Sequence, residues 1–271
     1  MKRGNTLIAG FLFASIAIFP VSAGTEIKMK ITGPDRSPGN STMMIDGGKM
    51  RVDTVDPAQD DSTQLIFDSQ TKTMIMADVN QRMYNVMDQA SLAQLKARMD
   101  AAKKQMEAQL ANMPPEQREM MKKMMAGRMG MADDSAPKPT KNIVKTGKSA
   151  SAAGYDCQIH EVYSGQKKLR ELCVTPWGKI KNGGEIKQSL EEMNRFFSAF
   201  LDSMKGMMPA DEESPFAEIE KLNGFPVIFK EFENGQLFET STLQSISSKD
   251  LSADIFKAPK GFTKQSMMEG M

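Results

Sequence analysis

From Glu26 onward, polar and apolar residues take strict turns: Glu26-Ile27-Lys28-Met29-Lys30-Ile31. A period of two is the mark of a strand with one face buried. Gly33–Asn40, with two prolines and two glycines, predicts a loop. Ser41–Ile45, Asp46-Gly47-Gly48 and Lys49–Thr54 predict strand, turn and strand, because Asp-Gly supplies the positive φ of tight hairpins. After a polar loop at Asp56–Asp61, three short strands are expected at Thr63–Phe67, Lys72–Ala77 and Gln81–Val86. Turn-sized connectors require antiparallel neighbours, so this part reads as a β-meander.

At Asp88 the period changes. Asp88 is placed to cap a helix in which Leu92, Leu95, Met99, Ala102, Met106 and Met113 recur at helical spacing. Pro114-Pro115 breaks that helix and can start a second, with Glu116 and Glu119 early and Lys122, Lys123 and Arg128 late, as the helix dipole prefers. Residues 88–131 therefore read as a helical hairpin inserted into a β-protein. Asp133–Asn142 has the composition of a linker, and strands resume at Ile143–Lys145 and run through Gly154–Pro176. Residues 186–208 predict a further helix, with Leu190, Met193, Phe196, Phe197, Phe200, Leu201, Met204 and Met208 on one stripe. An acidic stretch, Pro209–Pro215, precedes a strong hairpin: Pro226–Glu233, Asn234-Gly235, Gln236–Ile246. A turn of helix at Leu251–Phe256 and an edge strand from Phe262 complete the expectation.

The first residues bear on compartment. Lys2 and Arg3 precede an apolar run, Leu7–Pro20, followed by the small residues Val21-Ser22-Ala23. That is the layout of a secretory signal peptide cleaved after Ala23, leaving 24–271 as one β-rich domain in the periplasm. No later stretch is long and apolar enough to predict a membrane span. The formal charge of +1 becomes −1 once Lys2 and Arg3 are removed. With one Trp and three Tyr, a near-neutral chain lacks the basic footprint and stacking aromatics of a nucleic-acid binder.

Candidate chemistry is sparse. Cys157 and Cys173 lie eight residues either side of Gly165. A hairpin folded at Ser164-Gly165-Gln166 brings them face to face, where a structural disulfide fits an exported chain. His160, the one histidine, has no patterned serine or carboxylate near it and reads as a strand surface position. No glycine-rich phosphate loop, HExxH or GxSxG is present, so no enzyme, cofactor or metal site is expected.

Methionine is the outlier: 25 Met against 14 Phe, three Tyr and one Trp. The stretch MPPEQREMMKKMMAGRMGM (113–131) concentrates them, and on a helical wheel Met120, Met121, Met124 and Met125 share a side opposite Lys122 and Lys123. Three readings stand: a face packed on the sheet, a soft Cu(I) site, or a flexible apolar groove. The groove would comprise Met120, Met121, Met124 and Met125 with Phe196, Phe197, Phe200 and Met204 of the later helix.

Three stretches, LIFDSQTKTMIMADVNQRMYNVM (65–87), GYDCQIHEVYSGQKKLRELCV (154–174) and GFPVIFKEFENGQLFETSTLQSISSKDLSADIFKAPKGF (224–262), resemble the LolA/LolB-like envelope proteins, in particular a soluble, Met-rich exported branch. The resemblance implies an α+β fold, a curved antiparallel sheet forming an unclosed half-barrel, with helices on its concave face around an apolar cavity. It also implies a non-enzymatic carrier or sensor of a lipid, acyl chain or lipoprotein. A copper-buffering protein and a chaperone-like partner of envelope proteins are the alternatives.

Overall fold

The alternating segments form twelve strands in a computed structural model that describes residues 23–34, 36–57, 61–118, 120, 141–203 and 216–266. They are β1 (Gly24–Gly33), β2 (Arg36–Asp46), β3 (Lys49–Asp56), β4 (Asp61–Asp68), β5 (Thr73–Asp78), β6 (Met83–Met87), β7 (Lys141–Ala152), β8 (Tyr155–Ser164), β9 (Lys167–Pro176), β10 (Gly224–Glu233), β11 (Gln236–Lys249) and β12 (Thr263–Lys264). One sheet holds them all in the order β12-β6-β5-β4-β3-β2-β1-β11-β10-β9-β8-β7. Every pairing is antiparallel except β12 on β6. The sheet is not closed, since β12 and β7 end it. Its second half curls enough to bring β7 within 8 Å of β10 and β11.

Cross-strand register explains where the core lies. Thr25, Ile45, Met50, Phe67, Met74 and Met87 stand directly opposite one another from β1 to β6. All six are buried, so a single row of side chains crosses half the sheet on one face. Three of the six are methionines, which fill an irregular interior by repacking.

The helices are α1 (Gln89–Ala111), α2 (Gly183–Ser203) and α3 (Ala217–Leu222). Helix α2 lies on the buried row: Ile186, Leu190, Met193 and Phe196 are core residues, and the Phe196 ring is 5.4 Å from that of Phe67. Its start is pinned to β1, where Thr25 Oγ1 donates to Glu185 Oε2 at 2.6 Å and accepts from Asn182 Nδ2 at 2.8 Å.

Helix α1 begins as the sequence predicts, with a capping box in which Asp88 accepts from the Ser91 backbone N–H and the Ser91 hydroxyl accepts from the Asp88 N–H. Only its first turns pack: Leu95 is buried and Leu92 lies against the core, whereas Ala102 is exposed and Met99 and Met106 are half-buried. The expected amphipathic stripe therefore does not dock along its whole length. At the Pro114-Pro115 break, Arg118 donates to the carbonyls of Leu110, Ala111 and Met113, meeting the orphan acceptors of the helix end. Residues 115–118 and Met120 are helical again; residue 119 and residues 121–140, the rest of the predicted second helix and most of the linker, lie outside the described residues.

Two other expectations are corrected. The loop at 33–40 is largely strand, since β2 starts at Arg36. Gly39 is a strand glycine there, because a Cβ would stand 2.5 Å from the Val55 carbonyl oxygen. Helix α3 has no counterpart in the expected elements before the last hairpin. It ends at Asn223 in the left-handed conformation, a common helix stop.

Candidate functional site

Helices α2 and α3 make the site. By helical geometry α3 turns two opposite sides to its surroundings. On one side the capping residue Phe216 packs at a tilt against Phe197 of α2, ring centroids 5.9 Å apart, and Glu220 Oε2 accepts from Asn194 Nδ2 at 2.5 Å. On the other, Leu222 packs on a second apolar cluster, Val162, Leu172 and Val174, and Glu218 accepts from Arg170 Nη1 at 2.7 Å. Leu172 and Cys173 are consecutive strand residues, so the two apolar clusters sit on opposite faces of β9. Helix α3 bridges them.

Between α2 and α3 lies an open depression with only about 20 Å³ of room for water-sized molecules, lined by Trp177, Lys187, Leu190, Glu191, Asn194, Phe216, Ile219 and Glu220. Pockets for drug-sized ligands enclose roughly 300–1,000 Å³. The depression is therefore small, and Ile186, Leu190, Met193 and Phe196 of α2 are packed into the main core cluster. Trp177 packs at a tilt against Phe225, ring centroids 6.0 Å apart, and Lys187 Nζ lies 3.3 Å from Glu191 Oε1 one turn along α2.

The groove residues expected from the sequence are only partly brought together. Phe196 is a core residue, 9% exposed, while Phe197 and Phe200 are half-buried beside it. Met120 is 73% exposed. Met121, Met124, Met125 and Met204 lie outside the described residues. Sequence reasoning missed Trp177, Asn194, Phe216, Ile219 and Glu220; the one available signal was a lone tryptophan directly after a strand, ahead of a helix.

Cys157 and Cys173 are joined, with Cα atoms 5.2 Å apart. They are not directly opposite. Ile159 faces Cys173 and Gln158 faces Val174, so the bond runs diagonally across the pair of strands. The hairpin turns on Gly165-Gln166, with Ser164 opposite Lys167, and a register shift between Val162 and Tyr163 adds a second residue of offset, so the symmetry about Gly165 on which a face-to-face placement rests is lost.

His160 is half-buried on β8, its Nδ1 3.0 Å from the Gln158 carbonyl, to which it must donate. Among the described residues no group of three or more His, Cys, Asp or Glu is placed to hold a metal ion, and no helix is long and apolar enough to cross a membrane.

The densest charge pattern is a ladder on β8–β10: Lys168 Nζ donates to Glu161 at 2.7 Å and Glu171 at 2.8 Å, and Lys230 Nζ to Glu171 at 2.8 Å. The Lys168 hydrogen bond, with one from Tyr163, holds the Glu161 carboxyl below its usual range. The ladder is saturated with its own partners and offers no reactive group.

Together these features define an α+β protein with an unclosed, almost wholly antiparallel twelve-stranded sheet and a bridging helix pair. No protein family and no curated protein matches the chain. Among solved structures it is similar to an uncharacterized conserved protein from Thermus thermophilus, at TM-score 0.44 and 7% identity over 90% of this chain and 91% of that one. It is also similar to a LolA superfamily protein from Nitrosomonas europaea, at TM-score 0.30 and 7% identity over 88% of this chain and 91% of the other. The MucA/MucB complex of Pseudomonas aeruginosa matches at TM-score 0.35 and 8% identity, over 87% of this chain. This chain spans 56% of the matched chain in that complex. Likenesses at these TM-scores assign no activity.

Proposed function

We propose that this chain is an exported, non-enzymatic binding protein of the LolA-like kind that carries or senses a lipid or other acyl-bearing ligand. The observation that carries the reading is the aromatic row on α2. Phe196 turns into the core, while Phe197 and Phe200 stay half-buried, and Phe216 at the start of α3 packs at a tilt against Phe197 beside an open depression. Large aromatic surface left partly wet at the junction of two helices, one of them only six residues long, suits a ligand that inserts by parting them. The size of the depression means that acyl chains would enter by displacing α3 rather than by filling a ready cavity. Export agrees with the leader-like pattern of the first residues and with the disulfide, since disulfides persist in oxidising compartments.

Native mass spectrometry of the protein purified from a periplasm tests this. A copurified lipid or acylated species is the expected result. Bound copper, or a ligand-free protein that also fails to bind an apolar fluorescent probe, would overturn it.

A further inference from the structure

The two ends of the sheet are guarded differently. At one end β7 carries Lys141, Lys145 and Lys148, and its register with β8 shifts between Lys145 and Ser149 around Gly147, whose φ is +75°. Charged side chains and a bulge are the usual protection of an edge strand against pairing with another chain. At the other end β6 reads Met83-Tyr84-Asn85-Val86-Met87, with no charge and no proline, and pairs with β5 in unbroken register. An uncharged strand of this kind is a template for a further strand. What covers it is β12: the Thr263 N–H donates to the Arg82 carbonyl and the Gln265 N–H to the Tyr84 carbonyl, both at 2.8 Å. We infer that β12 is a removable guard, and that the β6 edge beneath it is a self-association edge. A second copy of this chain pairs there, β6 against β6, once the guard is released.

The attachment of the guard suits release. Its approach is fixed where the short 3-10 helix Ala253–Phe256 meets β3 and β4, with Phe256 buried and Arg51 Nη1 donating to the Ile255 carbonyl at 3.0 Å. Beyond Phe256 the hold is light. Thr263 and Lys264 are exposed, the Arg82 guanidinium lies 5.9 Å from the half-buried Phe262 ring, and the Gln265 amide donates to the Met83 sulfur at 2.6 Å. A segment that buries so little opens locally without unfolding the rest. The pairing it gives up is two residues long and parallel, the less stable orientation per residue. An antiparallel β6–β6 pairing has five residues on each side to use, and with no charge in β6 no like charges meet across the twofold axis. A charged partner strand gains nothing from this edge, whereas two identical uncharged strands are self-complementary.

Thr263→Pro with Gln265→Pro in the full chain tests the inference, because it deletes both backbone donors that hold β12 and leaves the Phe256 anchor in place. Light scattering after size exclusion should find the parent monomeric and the double variant dimeric. Dimerisation should be about tenfold tighter, the gain expected when an edge open in roughly a tenth of the molecules becomes open in all of them. The Tyr84 amide should exchange slowly in that dimer. Adding Tyr84→Pro should restore the monomer. The Tyr84 carbonyl faces β12, so its N–H faces the same edge, and proline there removes an edge donor without breaking a bond to β5. Should that proline unfold the strand, as circular dichroism would show, Tyr84→Lys takes its place by bringing like charges together across the axis. A double variant that stays monomeric, a parent that already dimerises as tightly, or a dimer that survives the folded Tyr84 variant overturns the inference. None of these outcomes bears on whether the protein binds an acyl ligand.

Discussion

Arg170 of β9 donates from Nη1 to Glu218 Oε1 at 2.7 Å, so α3 is held to the sheet by an ion pair whose acidic partner is almost wholly buried. Lys141 Nζ stands 3.7 Å from the same oxygen, and Glu231 accepts from Arg170 Nε at 3.3 Å. The two partners are unequal: the Glu218 side chain is 3% exposed and that of Arg170 is 23% exposed. Arg170→Leu leaves the buried carboxylate with only the longer Lys141 contact and should cost about 3 kcal/mol, the low end for breaking a buried pair. Glu218→Leu should cost less, because Arg170 keeps Glu231 and some water. Urea denaturation midpoints of the two variants check this order; a reversed order would mean that the pair is not what anchors α3.

The disulfide predicts a second stability effect. Its loop contains about fifteen residues, for which chain-entropy estimates give roughly 3 kcal/mol. Both sulfurs also lie in the main core cluster. Thiol labelling of the unfolded, unreduced protein should therefore give no signal, and the Cys157→Ala, Cys173→Ala double variant should melt well below the parent. Two labelled thiols, or an unchanged melting temperature, would contradict the bond or its stabilising role.

Much of this framework is legible in the sequence, and the failures have physical causes. Period-two alternation placed the meander because each strand buries one face only, as the Ile45-Met50-Phe67-Met74-Met87 row shows. Cysteine symmetry about Gly165 gave the right pairing but the wrong geometry, since the turn is centred between Gly165 and Gln166 and the register shift beyond Val162 has no compositional mark. The start of β2 was hidden by Pro38 and Gly39, where closeness to a neighbouring backbone, invisible locally, decides the conformation. Helix α3 is six residues long, too short for a periodicity, and its place depends on the distant partners Arg170 and Asn194. The candidate depression was missed for that same reason.

Acid should loosen α1 from its first turn. The Asp88 carboxyl is held below its ordinary range, first by the Ser91 backbone N–H and then by the Ser91 side chain, with burial opposing. A depressed folded-state pKa gives stability that is complete above the unfolded value, about 3.9, and is lost as pH falls through the lower folded value. Amide exchange across residues 89–95 should accelerate over that window. Asp88→Ala, at a cost of about 1 kcal/mol, should exchange fast already at neutral pH and show little further acid dependence. Acid dependence as steep as in the parent would place the titrating group elsewhere.

Adjacent phenylalanines on α2 separate folding from binding. Phe196 is 9% exposed and packs at a tilt against Phe67, so Phe196→Ala removes a buried ring and should cost about 3–5 kcal/mol. Phe200 is half-buried four residues along the helix, and Phe200→Ser gives up only part of its apolar area, about 1 kcal/mol. If the aromatic row receives acyl chains, Phe200→Ser should keep a near-parental melting temperature yet bind an apolar probe severalfold more weakly. Phe196→Ala should do the reverse at temperatures where it stays folded, because its ring faces the sheet rather than the ligand. Circular dichroism melts and probe titrations on the same samples decide the matter. Undiminished probe binding by Phe200→Ser would remove this end of α2 from the binding surface.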